Sequence, residues 1–268
     1  GTAHNGTQQG SEAGLGNAEV SLTDCGGTEY QRVTTNGLGD YTLTIPDSVA
    51  AGSSLCVAQG ANTAYVSVTG QAGTTGGSYS LVQDRTQFVL AAATNYAGVN
   101  FGDVPESTFT GVGVASTAPG TTVEYAHVFT AGTVGAVSFS RTQTPSPANP
   151  DWDSLLYRDL NCNGAIDGGE SPFSAAVAVT AGQVVCLVQK VIVPLSTGTG
   201  NQNISTVSAS LAFAAPSVIV RPYSQSDTTT VIDNGLGLVL VKQVRQVGSC
   251  PSSGFDGNAF GTSNDAPP

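Results

Sequence analysis

Short apolar runs, separated by glycine, asparagine and proline, follow one another along the chain. In the run Tyr41, Leu43 and Ile45 the apolar residues are spaced by single threonines. A period of two places the apolar side chains on one face of an extended strand. The same pattern predicts strands at residues 17–23, 28–34, 40–45, 54–58, 64–69, 78–82, 87–91, 109–115, 122–129, 136–141, 155–157, 175–179, 183–193, 204–213, 218–220, 229–232 and 236–247.

Many short strands with turn residues between them are typical of a β-sandwich. We therefore predict an all-β fold of two immunoglobulin-like sandwich modules in tandem, residues 1–104 and 105–235, followed by a C-terminal strand and tail, residues 236–268. Residues 103–106 include Pro105, which cannot donate to a β-ladder, and are predicted to form a short linker. No apolar run approaches the ~20 residues that a membrane-spanning helix needs.

The composition supports the β assignment and limits the possible partners. Charged residues make up only 10% of the 268 residues, and the chain has 34 glycines and no methionine. The hydrophobic fraction of 40% is high for a disordered chain. Eight basic residues against 19 acidic ones give a net charge of -11, so the electric field of the protein repels phosphates and anionic lipids. Nucleic acid and membrane surfaces are not expected as partners.

One segment of the chain has the spacing of a metal-binding loop. Residues 159–170, DLNCNGAIDGGE, place oxygen-bearing side chains at positions 1, 3, 5, 9 and 12 and a glycine at position 6, which is the pattern of an EF-hand calcium loop. The alternative is an Asn/Gly-rich surface turn with incidental acids. Because the flanking sequence predicts strands, the calcium would be structural and would not act as a sensor. The predicted ligands are Asp159, Asn161, Asn163, Asp167, Glu170 and the carbonyl oxygen of Ala165.

The five cysteines lack the C-x-x-C spacing of a metal cluster, so we expect disulfides in an oxidising, extracellular compartment. The predicted pairs are Cys25–Cys56 and Cys162–Cys186, one in each module. Free buried thiols are the alternative. Cys250 is left without a partner in its module.

The first module contains EAGLGNAEVSL at residues 12–22, GDYTL at 39–43 and VNFG at 99–102. With these motifs it resembles the B-type repeat of serine-aspartate and collagen adhesins of Gram-positive bacteria. Such repeats open with a strand and a calcium loop. Only Asn5, Gly6 and Glu12 match that loop here, so we expect calcium at residues 159–170 and not at the start of the chain.

The second module contains PGTTVEY at residues 119–125, LYRD at 156–159 and AGQ at 181–183. With these motifs it resembles the conserved repeat domains that occur in tandem on bacterial envelope proteins. Adhesin repeats often contain a Lys–Asn isopeptide bond, but residues 1–104 contain no lysine. Lys190 is interpreted as a surface lysine.

We find no motif that predicts catalysis, and we expect that the protein is not an enzyme. The chain has no G-x-S-x-G, H-E-x-x-H or P-loop sequence. His127 shares a predicted strand face with Tyr125 and Phe129 and is interpreted as a histidine at the rim of the core. A single tryptophan, Trp152, argues against a sugar-stacking cleft. Asn5 and Asn203 lie in glycosylation sequons by pattern.

These observations favour a secreted, cell-surface structural protein, either a stalk segment or the subunit of a filament. The first module is predicted to lack its opening strand, and residues 236–247 are predicted to form a surplus one. We expect this segment to dock into the first module of another copy by β-strand addition, giving a head-to-tail homopolymer. The alternatives for the segment are that it begins a further repeat or folds back on its own module. An adhesin that binds a surface ligand and a carbohydrate-binding accessory domain remain alternatives for the function. The residues that make the predicted assembly strand apolar on both faces are Leu238, Val239, Leu240 and Val241.

Overall fold

The computed structural model describes residues 4–5, 12–149 and 151–232, and within these ranges the regular structure is β except for one short 3-10 helix, Gly73–Thr75. The all-β prediction is confirmed. The described part of the chain contains no helix that could cross a membrane. The strands are β1 Glu19–Thr23, β2 Glu29–Thr34, β3 Ser54–Gln59, β4 Tyr65–Ala72, β5 Ser78–Ser80, β6 Arg85–Val89, β7 Val99–Pro105, β8 Thr108–Thr110, β9 Val114–Thr117, β10 Thr122–Thr130, β11 Gly135–Ser146, β12 Asp153–Asp159, β13 Val177–Val179, β14 Val184–Ile192, β15 Gln202–Phe213 and β16 Val220–Val231.

The N-terminal half is built on an antiparallel sheet of order β2-β1-β3-β6-β5. One face of this sheet carries the apolar core, because every second residue of its strands points inward. The opposite layer holds the two-stranded sheet β4-β7 and the segment 40–46. The buried core side chains are Val20, Leu22, Leu55, Val57 and Phe88, with Tyr41, Leu43 and Ile45 packed against them.

The C-terminal half is a sandwich of two sheets. One has the order β12-β14-β10-β8 and the other β13-β11-β15-β16-β9. All of its strand pairs are antiparallel except β16 with β9, which is parallel. The main core lies between the sheets around Phe129, Leu187 and Leu211, and a second cluster surrounds Trp152 and Val191.

Four predicted strands differ from the structure, β7 was not predicted, and the predicted strand at residues 236–247 lies outside the described residues. Residues 40–45 belong to no strand, although their apolar side chains face the core as the alternation indicated. The run 109–115 is divided into β8 and β9, which lie in different sheets, because Gly111 at φ 110° turns the chain between them. A side chain at Gly111 would lie 2.3 Å from the carbonyl oxygen of Ala126. The runs 218–220 and 229–232 are parts of the single strand β16.

The predicted linker is not a free segment. Residues 103–105 end β7, and Val104 packs with Val66 and Val68 against the core of the second half. Glu106 then accepts hydrogen bonds from Tyr223 and Arg221 of β16. The boundary at residue 104 stays a prediction, but the two halves meet through packed side chains.

Candidate calcium loop, buried polar groups and a cavity

The predicted calcium loop leaves the sandwich at the end of β12 and returns at residue 172. Tyr157 and Pro172 form an isolated β-bridge, and the N–H of Phe173 donates to the Leu156 carbonyl oxygen at 2.9 Å. These contacts close the base of the loop. The sequence between them is therefore held as one protruding turn whose ends are fixed by the sheet.

Asp159, the first predicted ligand, is buried and organises the first half of the loop. Its Oδ2 accepts the N–H of Gly164 at 2.8 Å and its Oδ1 accepts the N–H of Asn163 at 3.3 Å. Gly164 has φ 79°, a left-handed conformation that favours glycine. The glycine at position 6 is thus required by the turn.

Glu170 and Asp167 organise the second half. Glu170 Oε1 accepts the N–H of Leu160 at 2.8 Å, and its Oε2 accepts the N–H of Asp167 at 2.9 Å. Asp167 Oδ2 accepts two hydrogen bonds from side-chain amides, one from Asn161 at 2.9 Å and one from Asn163 at 2.7 Å. The carboxylates at positions 1 and 12 therefore bind the loop backbone, and the carboxylate at position 9 binds the asparagines.

The structure brings the predicted ligands into one loop, with amide groups between the acids. Ala165 donates its N–H to Asn163 Oδ1 at 2.9 Å. Among the described residues, no three His, Cys, Asp or Glu side chains converge as a metal-binding group. The donor set is nevertheless chemically suited to calcium, since carboxylate, amide and carbonyl oxygens are its preferred ligands.

Both predicted disulfides are present. Cys162 and Cys186 have Cα atoms 5.4 Å apart, and Cys25 and Cys56 have Cα atoms 5.1 Å apart. The first of these joins the calcium loop to β14, the strand beside β12. Cys250 lies outside the described residues.

The sequence did not indicate the buried pair of His127 and Asp227. His127 is 1% exposed and lies inside the sandwich rather than at its rim, with Nε2 2.9 Å from Asp227 Oδ2. Its Nδ1 lies 2.9 Å from the carbonyl oxygen of Gly111, and Asp227 Oδ1 accepts the N–H of Gly113 at 2.7 Å. Because a carbonyl oxygen can only accept, Nδ1 carries a proton. The enclosed imidazole is not accessible as a catalytic base.

Further polar side chains form a layer across the interior between the two apolar clusters. The Nε2 of Gln189 donates to Ser205 Oγ at 2.6 Å and to Ser154 Oγ at 3.0 Å. Asn203 donates its amide to Gln143 Oε1. The alternation that predicted β14 and β15 did not indicate this layer. In a sequence pattern, a polar residue at an inward position is read as a residue that faces solvent. The members of this polar layer are Gln143, Ser154, Gln189, Asn203 and Ser205.

Three other residues singled out from the sequence have defined places. Trp152 is buried in the core cluster around Val191, so it cannot stack on a sugar. Lys190 is partly exposed, with Nζ 4.0 Å from Glu124 Oε1. Asn203 is completely buried, so the folded chain cannot carry a glycan there.

A half-buried acid lies in the first half of the chain. Asp84 accepts hydroxyl hydrogen bonds from Tyr79 and Ser67, both at 2.7 Å. Burial raises the pKa of Asp84 above 3.8, with a smaller upward contribution from the charge of Asp103, while the two hydroxyl donors act in the opposite direction. Burial and the neighbouring Asp84 also raise the pKa of Tyr79.

A cavity of about 1090 Å³ lies between the sheet β2-β1-β3-β6-β5 and residues 39–47 and 90–100. The hydroxyl of Tyr41 donates to the Val99 carbonyl oxygen at 2.7 Å across this region, and burial raises the pKa of Tyr41 to about 12. No β-ladder among the described residues includes residues 40–46 or the second edge of β7. Apolar lining residues include Leu22, Leu43, Ile45, Val57, Phe88 and Tyr96.

No protein-family profile matches the chain, and no curated protein matches its sequence. Similar solved structures include the major pilin subunit BcpA of Bacillus cereus, at 13% identity and TM-score 0.42 over 83% of this chain and 66% of the pilin. AggA, the major subunit of aggregative adherence fimbriae type I from Escherichia coli, matches at 12% identity and TM-score 0.28 over 47% of this chain and 94% of AggA. A family 123 glycoside hydrolase from Clostridium perfringens matches at 8% identity and TM-score 0.32 over 50% of this chain and 24% of the hydrolase. At these scores the function has to be argued from the residues of this chain.

Proposed function

We propose that the protein is a structural subunit of an extracellular filament or stalk, joined to further copies of the same chain by β-strand addition. The observation that carries this proposal lies in the second layer of the N-terminal half. There, residues 40–46 face the core without a β-ladder among the described residues, beside the cavity. Unpaired strand edges are the usual acceptors of a strand from another chain.

The covalent cross-links fit a protein that works outside the cell. Two disulfides tie the fold, one in each half, and disulfides persist in oxidising compartments. The ionisable pair at the centre of the second sandwich is sealed from solvent, which suits a load-bearing module better than a catalytic one.

Structural calcium is part of the proposal. The ligands would be the side-chain oxygens of residues 159, 161, 163, 167 and 170 and the carbonyl oxygen of Ala165, which together supply the hard oxygens that calcium requires. The ion would neutralise the mutual repulsion of the three carboxylates. The loop is already anchored by the Cys162–Cys186 disulfide, so its ordering for the ion costs less.

Sedimentation velocity and negative-stain electron microscopy of the full chain in calcium test the filament function. The wild-type chain is expected to form concentration-dependent head-to-tail polymers. Leu240→Asp, which places a charge in the assembly strand, is expected to remain monomeric with an unchanged melting temperature. Leu195→Asp, at a residue 85% exposed, is the matched control and should polymerise normally. A wild-type chain that stays monomeric at high concentration would refute the proposal.

A further inference from the structure

We propose that the cavity is an acceptor groove and that its occupant is the segment of residues 236–247 from a second copy of this chain. This inference rests on the filament function proposed above and assigns the acceptor site for it. The cavity, at about 1090 Å³, is at least as large as most small-molecule sites, which measure ~300–1,000 Å³, and has room for a peptide segment.

The walls of the groove offer backbone partners on two sides. Residues 41–45 run along one wall, outside every ladder of the described structure, and the first residues of β7 form the other. The Val99 carbonyl oxygen is bound by the Tyr41 hydroxyl, where a strand would normally donate an N–H. The N–H of Thr44 is likewise bound by the side-chain oxygen of Gln31, so a strand between these walls would pair with the other backbone groups of both.

The side-chain pattern of the segment suits this position. A strand in the groove would pack one face on the core of the sheet β2-β1-β3-β6-β5. The two walls of the groove would flank it. Strands buried on both faces read as continuous apolar runs. Residues 238–241, LVLV, are such a run, and the segment contains no acidic residue.

The charges of the segment and of the groove lining are opposite in sign. The segment carries Lys242 and Arg245, two of only eight basic residues in a chain of net charge -11. The lining of the groove contains Asp40 and Asp47 and no lysine or arginine. Opposite charges at a docking site favour the correct partner and the correct register.

The direction of β16 favours a second copy over the same chain. The beginning of β16 lies at the boundary between the halves, where Arg221 and Tyr223 contact Glu106. Its end at Val231 is eleven residues further, about 36 Å along the strand. Only three residues then separate Ile232 from residue 236, a reach of about 14 Å. To return to the groove of its own copy, the chain would have to use residues 236–247 to span this distance. The groove of a neighbouring copy does not require this.

Disulfide trapping between two populations tests this inference. In a Cys250→Ser background, full chains carrying Leu43→Cys in the groove are mixed with full chains carrying Leu240→Cys, and dimers are scored on non-reducing gels. A dimer band is expected in the mixture. Val82→Cys, at a residue 97% exposed and outside the groove, is the control partner and should give none. Ala92→Cys, an exposed residue on the groove lining, replaces Leu43→Cys if that variant does not fold.

The outcomes separate the inference from the filament function. Filaments seen by microscopy without cross-links at either groove position would overturn the acceptor site and leave the filament function standing. Absence of both filaments and cross-links would refute both. A Leu43→Cys/Leu240→Cys double variant that forms a cross-linked monomer at high dilution would show that the chain fills its own groove, and would overturn the assignment to a second copy.

Discussion

At the scale of single residues, the strongest constraint on the second sandwich is the pair of His127 and Asp227. Both side chains are completely enclosed, and Asp227 also holds the N–H of Gly113. Removing one member of a buried pair leaves the other without compensation inside a poorly polarisable interior. The pair therefore couples β10 to β16 across the sandwich.

Asp227→Ala is expected to lower the free energy of unfolding by about 3–5 kcal/mol, because the N–H of Gly113 loses its acceptor and His127 loses its buried neighbour. Urea unfolding of the variant measures this. Asp153→Ala breaks the exposed pair with Arg141 and serves as the control, with an expected loss of at most ~1 kcal/mol. Equal losses in the two variants would show that the buried pair has no special role.

Asp84 gives a pH dependence of known sign. Its folded-state pKa is raised above 3.8, mainly by burial, so its contribution to stability is complete below the unfolded-state pKa and is lost as pH rises through the folded-state value. The stability of the wild-type chain relative to Asp84→Asn is therefore expected to fall between pH values below 3.8 and neutral pH.

Asp24 provides the opposite control in the same titration. Hydrogen bonds from Thr28 and Gly26 lower the pKa of Asp24, so its contribution is present above the unfolded-state pKa and is lost as pH falls. The stability of the wild-type chain relative to Asp24→Asn should rise with pH. Parallel curves for the wild type and Asp84→Asn would contradict the effect assigned to burial.

The partners of individual residues were the least predictable feature. The sequence placed His127 on the core-facing side of β10, beside Tyr125 and Phe129, and the structure agrees. Its partner Asp227 lies 100 residues away, in a strand whose pairing no local pattern indicates. The signal that was available is the alternation of Asp227, Thr229 and Val231, in which an acid occupies the inward position of a buried strand.

At the scale of elements, the loop after β12 combines a metal-type spacing with a covalent anchor. Calcium is expected to raise the melting temperature, since a ligand that binds only the folded state stabilises it by about 2.7 kcal/mol at a hundredfold excess over Kd. Calorimetry with calcium and with chelator measures the effect. Glu170→Ala should abolish the calcium dependence, and Glu124→Ala, at a surface residue paired with Lys190, should retain it. A wild-type melting temperature that is insensitive to chelator would refute structural calcium.

The Cys162–Cys186 disulfide closes a loop of 24 residues. Cys162→Ala/Cys186→Ala is expected to cost about 3 kcal/mol of stability, because the unfolded chain regains conformational entropy. It should also raise the calcium concentration needed for half of the thermal shift. The pair Cys25→Ala/Cys56→Ala is the control, with a similar loss of stability and an unchanged calcium requirement.

The alternation of apolar and polar residues predicted strand positions correctly where the strand has a neighbour in a sheet, as for β10 and β15. The prediction was wrong at residues 40–45 for a physical reason. A period of two reports which side chains face the core, and it does not report whether the backbone has a partner. The break at Gly111 was missed because the run 109–115 is apolar on both sides of the turn.

At the scale of the whole molecule, the two halves differ in their strand pairing. The described residues of the second half form two facing sheets around a buried core, whereas the first half has a cavity beside a segment without a ladder in the described structure. The proposed strand addition would bring different surfaces of two copies together. Such a heterologous contact propagates as an open filament unless its rotation closes a ring.

Helical reconstruction of the assembled material by cryo-electron microscopy tests the central claim most directly. Strand addition predicts density for residues 236–247 of one copy between residues 41–45 and the first residues of β7 in the next copy, hydrogen-bonded on both sides. Filaments whose subunits touch only through other surfaces, with the groove empty or filled by the same chain, would contradict it.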